Sequence, residues 1–353
     1  MTADPSGAFG SCPLPISAHD TVQLGHGSGG KMMGDLIQRL FVWAFDNPHL
    51  RRLDDAAVLD LPRGRIAVST DSFVVDPLFF PGGNIGDLAV NGTVNDVCMS
   101  GARPLYLSAG FILEEGLPLD SLRMIVESMR DAARRAGVSI VAGDTKVVNR
   151  GKGDKVFINT TGIGLITHDL VLTSGGVRPG DRILVSGGVA EHGIAVLSKR
   201  EGLAFETPIE SDTAPLHDLV ATILEAGGEA VHALRDPTRG GLAATLNEFA
   251  AASTIEIALE ERAVPVKPAV SGACELLGLD PLYVACEGRL VAAVAAARSR
   301  EVLAAMRGHP LGRDAAEIGE ARSGRAGLVT LRTAIGGWRI LDLLVGEQLP
   351  RIC

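Results

Sequence analysis

Short apolar, β-branched runs alternate with helix-spaced apolar positions through the first half of the chain. RIAVST (65–70), PLYLSAGFI (104–112), VSIVA (138–142) and KVFINTTGIGLI (155–166) predict strands. Leu122, Ile125, Val126, Met129 and Ala133 recur at helical spacing between Asp120, which can cap a helix start, and Gly137, which can end one. A second helix is predicted over 85–99. Its polar positions Asp87, Asn91 and Asn95 fall at i, i+4 and i+8, so one face of an otherwise apolar helix calls for polar company.

The glycine- and proline-rich passage LTSGGVRPGDRILVSGG (172–188) closes this first pattern, because turn residues cluster where the strands stop. Helical patterns then follow near 189–200, 213–227 and 240–252, interleaved with apolar runs at 182–186, 255–259 and 289–295 and a strand-like WRILDLL at 338–344. The expectation is an α+β chain in two domains, each a mixed or antiparallel sheet covered by helices. The divisions run 1–20 (a flexible extension), 21–171, 172–344 and a mobile tail, 345–353. Fully extended at ~3.3 Å per residue, such a tail reaches roughly 30 Å, enough for its last residue to visit a distant site.

Composition narrows the class. With 353 residues, 46% of them hydrophobic, the chain is long and apolar enough for two cores. A net charge of -9 and the absence of a Lys/Arg stripe argue against nucleic acid as a partner. The opening MTADPSGAFGSCPLP has neither a basic nor an apolar leader segment, and no run approaches the ~18 apolar residues of a membrane span, which predicts a cytoplasmic protein. Five scattered cysteines without a CxxC pair predict reduced thiols.

Three groups of residues carry candidate chemistry. Gly25 to Lys31, GHGSGGK, has the spacing of a P-loop, but Met32 replaces the hydroxyl that would ligate magnesium and no buried strand precedes it. What remains is a glycine loop whose amides and Lys31 can close over phosphates. Asp54, Asp55, Asp71, Asp96 and Asp144 stand at the ends of apolar runs or on the polar helix. Each alone is more often a turn or cap residue, but together they suit magnesium and nucleotide phosphates. Lys146 follows Asp144 closely, and Arg239 in DPTRGGL precedes a predicted helix, where an anion can sit. Glu287 lies in an apolar stretch where burial raises its proton affinity. The third group is a single residue, Cys353, a terminal thiol on a tether and a potential nucleophile as its thiolate.

The strings GHGSGGK, STDSFVVDPLFFPGGNIGDLAV, SAGFILEEGLP, GDTKVV, DPTRGGL and the ending PRIC closely resemble the HypE family of hydrogenase maturation proteins, from Val22 to Cys353. The resemblance implies a PurM-like fold, similar to aminoimidazole ribonucleotide synthetase and selenophosphate synthetase, and a homodimer joined through amino-terminal strands. It implies that HypF loads a carbamoyl group onto Cys353, that ATP with magnesium dehydrates the resulting thiocarboxamide to a thiocyanate, and that a HypC–HypD complex accepts the cyanide for nickel-iron hydrogenase. Carried over, Cys353, Lys146 and Glu287 become catalytic residues. Lys31, Asp71, Asn95, Asp96, Asp144 and Arg239 become nucleotide contacts. Asp71, Asp96, Asp144 and one or both of Asp54 and Asp55 become magnesium ligands. Two alternatives stay open: a small-molecule synthetase of the same fold, which has no use for a terminal cysteine, and a non-catalytic ATP-binding thiol carrier. A selenophosphate synthetase tends to carry cysteine or selenocysteine in the glycine loop, and this loop has none.

Overall fold

The structure, a computed structural model, describes residues 20–54, 56–203, 205–344, 351 and 352. The predicted tail residues 345–350, the thiol of Cys353 and the carboxylate of Asp55 lie outside the described residues. No described helix is long and apolar enough to cross a membrane.

After a short turn at Leu24–Gly27, a continuous helical run leads from α1 (Lys31–Leu36) through a π-helical turn (Ile37–Val42) into α2 (Trp43–Phe45). The glycine passage expected to be a free loop is therefore partly helical and packed. A Cβ on Gly27 would stand 2.5 Å from the Val147 amide nitrogen, so only glycine permits this approach.

The first sheet has the order β1 (Arg65–Phe73), β6 (Val156–Ile166), β4 (Arg103–Glu114), β5 (Ser139–Val148), with β4 and β5 parallel and the other pairs antiparallel. The two short strands β2 (Phe79–Phe80) and β3 (Gly83–Asn84) form a separate hairpin. One sheet face is covered by α3 (Ile85–Met99) and α4 (Leu119–Arg135). The apolar stripe expected on α4 is the buried one, Leu122, Ile125, Val126 and Met129. Asp120 does not cap it: Pro118 precedes the first turn, the Leu119 amide already donates to the Asp20 carbonyl, and Asp120 pairs with Arg123 instead. α3 lies unusually close to β6, since a Cβ on Gly164 would fall 2.4 Å from Val97 Cγ1.

The second sheet has the order β13 (Trp338–Ile340), β12 (Leu328–Arg332), β9 (Glu256–Glu260), β11 (Ala316–Arg322), β7 (Arg182–Val185), β10 (Val291–Val294), β8 (Val231–Arg235). Only β12 and β9 run parallel. The helices of this half are α5 (Glu191–Arg200), α6 (His217–Gly227), α7 (Gly241–Ser253), α8 (Pro268–Leu277) and α9 (Ala296–Gly308). Of these elements β8, β11, β12, α8 and α9 were not anticipated.

The polar stripe of α3 fastens the two halves. Asn91 Nδ2 donates to Thr213 Oγ1 at 3.0 Å. Asn95 Nδ2 donates to the carbonyls of Ala214 and Glu287, and its Oδ1 accepts from the Leu216 amide at 2.8 Å. Asn95 had been expected to touch nucleotide. Its amide is instead fully used inside the protein, as a residue only 1% exposed must be.

Candidate active site

The predicted site residues fall into two groups. The first gathers at the β5 edge of the first sheet, where Lys31 opens α1 beside the glycine turn. On β5, Lys146 Nζ donates to Asp144 Oδ1 at 3.0 Å, and this bond holds the Asp144 carboxyl below the usual carboxylate range. A cavity of about 330 Å³ lies between the helical run and the sheet, lined by Ile37, Phe41, Phe45, Ala109, Asp54 and Asp144 among others. Such an apolar slot with carboxylates at its rim suits a flat heterocycle with charged groups beyond it.

The second group lies where α3 meets the second half. Ser69 Oγ donates to Asp96 Oδ2 at 2.7 Å. Asp71, on β1, and Asp96, on α3, share this side of the sheet with Asp236, which follows β8 and opens DPTRGGL. Burial is the main reason their carboxyls rise above the usual range, and repulsion from neighbouring carboxylates adds to it at Asp71 and Asp236. Asp236 is pushed up to about 7, and Glu287 well above its ordinary value, with Asp236, Asp212, Asp71 and Asp96 all opposing its ionisation. Asp236 Oδ2, Glu287 Oε1 and Asn91 Oδ1 are buried without a hydrogen-bond partner. Buried orphans of this kind cost about 1–3 kcal/mol each, so several together mark a place kept for a ligand.

Arg239 is exposed at the rim of this group and its charge favours the ionised forms of Asp71 and Asp96. As expected it directly precedes a helix, α7, which starts from Gly240 and Gly241 at φ +77 and +60. A Cβ on Gly241 would meet the Leu282 and Val284 carbonyls below 3 Å, so both glycines are needed to make this turn.

The described aspartates Asp71, Asp96 and Asp144 therefore do not close into one cluster. Ser72, Asn159, Gly110 and Asp144 are paired in one row across the sheet, so the β1 and β5 groups stand three strand spacings apart, roughly 14 Å. Asp71 projects to the helix-covered face, whereas Asp144 and Lys146 alternate onto the other face. Among the described residues no three acidic, histidine or cysteine side chains are placed to hold a metal by themselves.

The tail residues reach this region. Ile352 is 3% exposed and belongs to the core of the first half. The Arg351 carbonyl accepts from the Asp76 amide and from Arg200 Nη2 at 2.7 Å, and the Arg351 guanidinium meets Val74 O and Asp154. The Ile352 carbonyl is 3.0 Å from His192 Nε2. His192 in turn contacts Ser211, whose neighbour Asp212 accepts from the amides of Glu287 and Gly288. Burying an isoleucine contributes about 1.5–3 kcal/mol, against an ordering cost of about 1–2 kcal/mol per residue. Of the expected mobile tail, its described end residues are seated in the cleft.

The thiols of Cys98 and Cys286 are pushed up by burial, and Cys274 to about 11, which leaves them poor nucleophiles. Asp212, Asn91, His192 and Arg200 escaped notice as site residues. Asn91 was legible as part of the polar stripe, but the other three sit in segments with no motif.

The chain is similar to known proteins over nearly its whole length. The AIR synthase related protein N-terminal domain matches residues 53–166 and its C-terminal domain matches 178–331. Carbamoyl dehydratase HypE of Cupriavidus necator is 59% identical over 342 residues, covering 97% of this chain and 97% of its own. A solved HypE in complex with ATP is 54% identical with a TM-score of 0.91, covering 94% of this chain and 100% of that one. A chain of a HypE–HypF complex is 48% identical with a TM-score of 0.77, covering 88% and 99%. With this identity over nearly its whole length, the chain belongs to the carbamoyl dehydratase HypE family of AIR synthase related proteins.

Proposed function

We propose that the protein is an ATP-dependent carbamoyl dehydratase acting on a thiocarboxamide carried by its own Cys353. The observation that supports this most is the seating of Arg351 and Ile352 between the two halves, next to the segment that holds Glu287. A small-molecule synthetase needs no such dock. In the reaction, the amide oxygen of S–C(=O)–NH₂ takes the γ-phosphoryl group of ATP while one N–H proton leaves, giving ADP and an O-phosphorylated imidate. Loss of the second nitrogen proton expels phosphate and leaves S–C≡N.

Glu287 suits proton removal, because a carboxyl whose proton affinity is raised is the stronger base once it ionises. Lys31, Lys146 and Arg239 would hold and orient phosphate oxygens. Asp71 and Asp96 would hold one magnesium and Asp144, with Asp54 or Asp55, another, since the two groups stand about 14 Å apart across the sheet. The fit is that of a hard cation bound by one or two carboxylates while substrate oxygens and water complete its shell. When bound, magnesium would neutralise phosphate charge.

Residues 21–171 would form the nucleotide-binding and dimerisation unit, and 172–344 the unit supplying Glu287. HypF would be the carbamoyl donor and a HypC–HypD complex the cyanide acceptor, in the cytoplasm. Dimerisation is supported by the uncovered face of the first sheet, where Ile66, Val68 and Ile112 are 55%, 66% and 45% exposed beside Phe157 and Ile163. Light scattering is expected to give a dimer, and Val68→Asp a monomer. A monomeric parent would remove this interface.

The function itself is tested by intact-protein mass spectrometry after incubation with carbamoyl phosphate, ATP, magnesium and HypF. The expected result is a carbamoyl adduct on the terminal peptide that loses one water only when the ATP is hydrolysable. An adduct that never loses water would leave a thiol carrier, and an unmodified tail with active HypF would favour the small-molecule synthetase.

A further inference from the structure

His192 lies on α5 with no exposed surface and makes two hydrogen bonds that fix its state. Nε2 is 3.0 Å from the Ile352 carbonyl, which can only accept, so Nε2 carries the hydrogen. Nδ1 is 2.8 Å from Ser211 Oγ. In a neutral ring Nδ1 must then accept the serine hydroxyl hydrogen, while Ser211 Oγ accepts the Thr213 amide at 3.2 Å. Ser211 is itself anchored to the other half by its amide, which donates to the Pro81 carbonyl at 2.8 Å. The Phe80 ring packs edge-on against the imidazole, its centroid 5.4 Å away. Burial also pushes His192 below its ordinary range, which keeps the ring neutral despite Asp212 nearby.

We propose that His192, oriented by Ser211, is a positioning residue that sets the last peptide plane of the chain and so aims Cys353. The carbonyl it holds belongs to the Ile352–Cys353 peptide bond. Because the six atoms of a peptide unit are coplanar, fixing this oxygen fixes the direction in which the Cys353 Cα leaves. The other polar tail contacts, Arg200 and the Asp76 amide on the Arg351 carbonyl and Val74 O and Asp154 on its guanidinium, lie one residue further back and leave that last plane free to turn. His192 grips main chain rather than side chain, so its role does not depend on what Cys353 carries.

The test compares His192→Phe, which keeps a ring against Phe80 but removes the donor, with His192→Gln, whose amide nitrogen can stand in for Nε2. Ser211→Ala serves as a second route should the ring variants not fold. Carboxypeptidase Y release of Cys353 and Ile352, followed by intact mass, is expected to run about fivefold faster in His192→Phe and Ser211→Ala, the worth of one net hydrogen bond. His192→Gln should fall between these and the parent. The second readout rests on the dehydratase reading above. On protein already carbamoylated by HypF, single-turnover water loss should slow by up to about 10²-fold in His192→Phe, as for a reacting group displaced by about 1 Å, with the KM for ATP unchanged and carbamoylation by HypF not slowed. Equal carboxypeptidase rates in folded variants would overturn the proposal, as would a loss of water release that His192→Gln does not relieve. If the parent makes no thiocyanate yet the protease rates separate as expected, the dehydratase reading fails while the positioning role stands.

Discussion

Cys353→Ala is expected to abolish carbamoyl loading and thiocyanate formation altogether while leaving ATP binding by calorimetry unchanged. The reason lies in the division of labour. The terminal sulfur is the atom to which the substrate is bonded, so no neighbour can replace it, and the described cysteines that might do so are buried thiols with raised proton affinity. The groups that would bind nucleotide sit on β1, β5, α1, α3 and the loop before α7, and none belongs to the tail. Weakened ATP binding in this variant would show that the tail is part of the nucleotide site. Persistent adduct formation would move the substrate to another thiol.

Glu287→Gln is the second large effect, and its two consequences run in opposite directions. Turnover of the loaded protein should fall by about 10²–10⁴-fold, the usual worth of a positioned base, whereas folding stability should not fall. This carboxyl is enclosed, and burial among other carboxylates opposes its ionisation, so the amide is a near-isosteric replacement for its protonated form. The pH dependence follows from the direction of the shift. A carboxyl with folded proton affinity above its unfolded value contributes stability fully below the unfolded pKa, and loses it as pH rises through the folded one. Between those two values the wild-type protein loses about 1.4 kcal/mol per pH unit through this group, and the glutamine variant does not. Thermal scans in metal-free buffer should therefore show the variant gaining on the parent as pH rises above the usual carboxylate range. Unchanged turnover would remove Glu287 from the chemistry, and a melting difference that does not vary with pH would mean the carboxyl is ionised when folded.

Legibility of the fold tracked the strength of periodicity. The strands at 65–70, 104–112, 138–142 and 155–166 and the stripe of α4 were plain because β-branched runs and helical spacing are local signals; the first three strands grew by a few residues once paired and the fourth kept its length to within one. In the second half β8 and β11 carry histidine, arginine and glutamate among short apolar stretches, and α9 is rich in alanine and arginine. Their identity comes from the neighbours they pair with and pack against rather than from their own pattern.

The site divides along the same line. Sequence by itself determined which residue types are available: the glycine passage, the aspartates, Lys146, Arg239, Glu287, the asparagine stripe and the terminal thiol, each readable because a chemical group or a spacing announces itself within a few residues. Only the tertiary structure decided which of these meet. Strand alternation sent Asp71 and Asp144 to opposite faces about 14 Å apart. Close packing of α3 used up Asn95 as a fastener between the halves. Folding of the second half onto the first brought Asp236 and Glu287 to Asp71 and Asp96, and His192 to the Ile352 carbonyl across 160 residues of chain. Proton affinities and docking depend on distance and burial, and a linear order of residues contains neither.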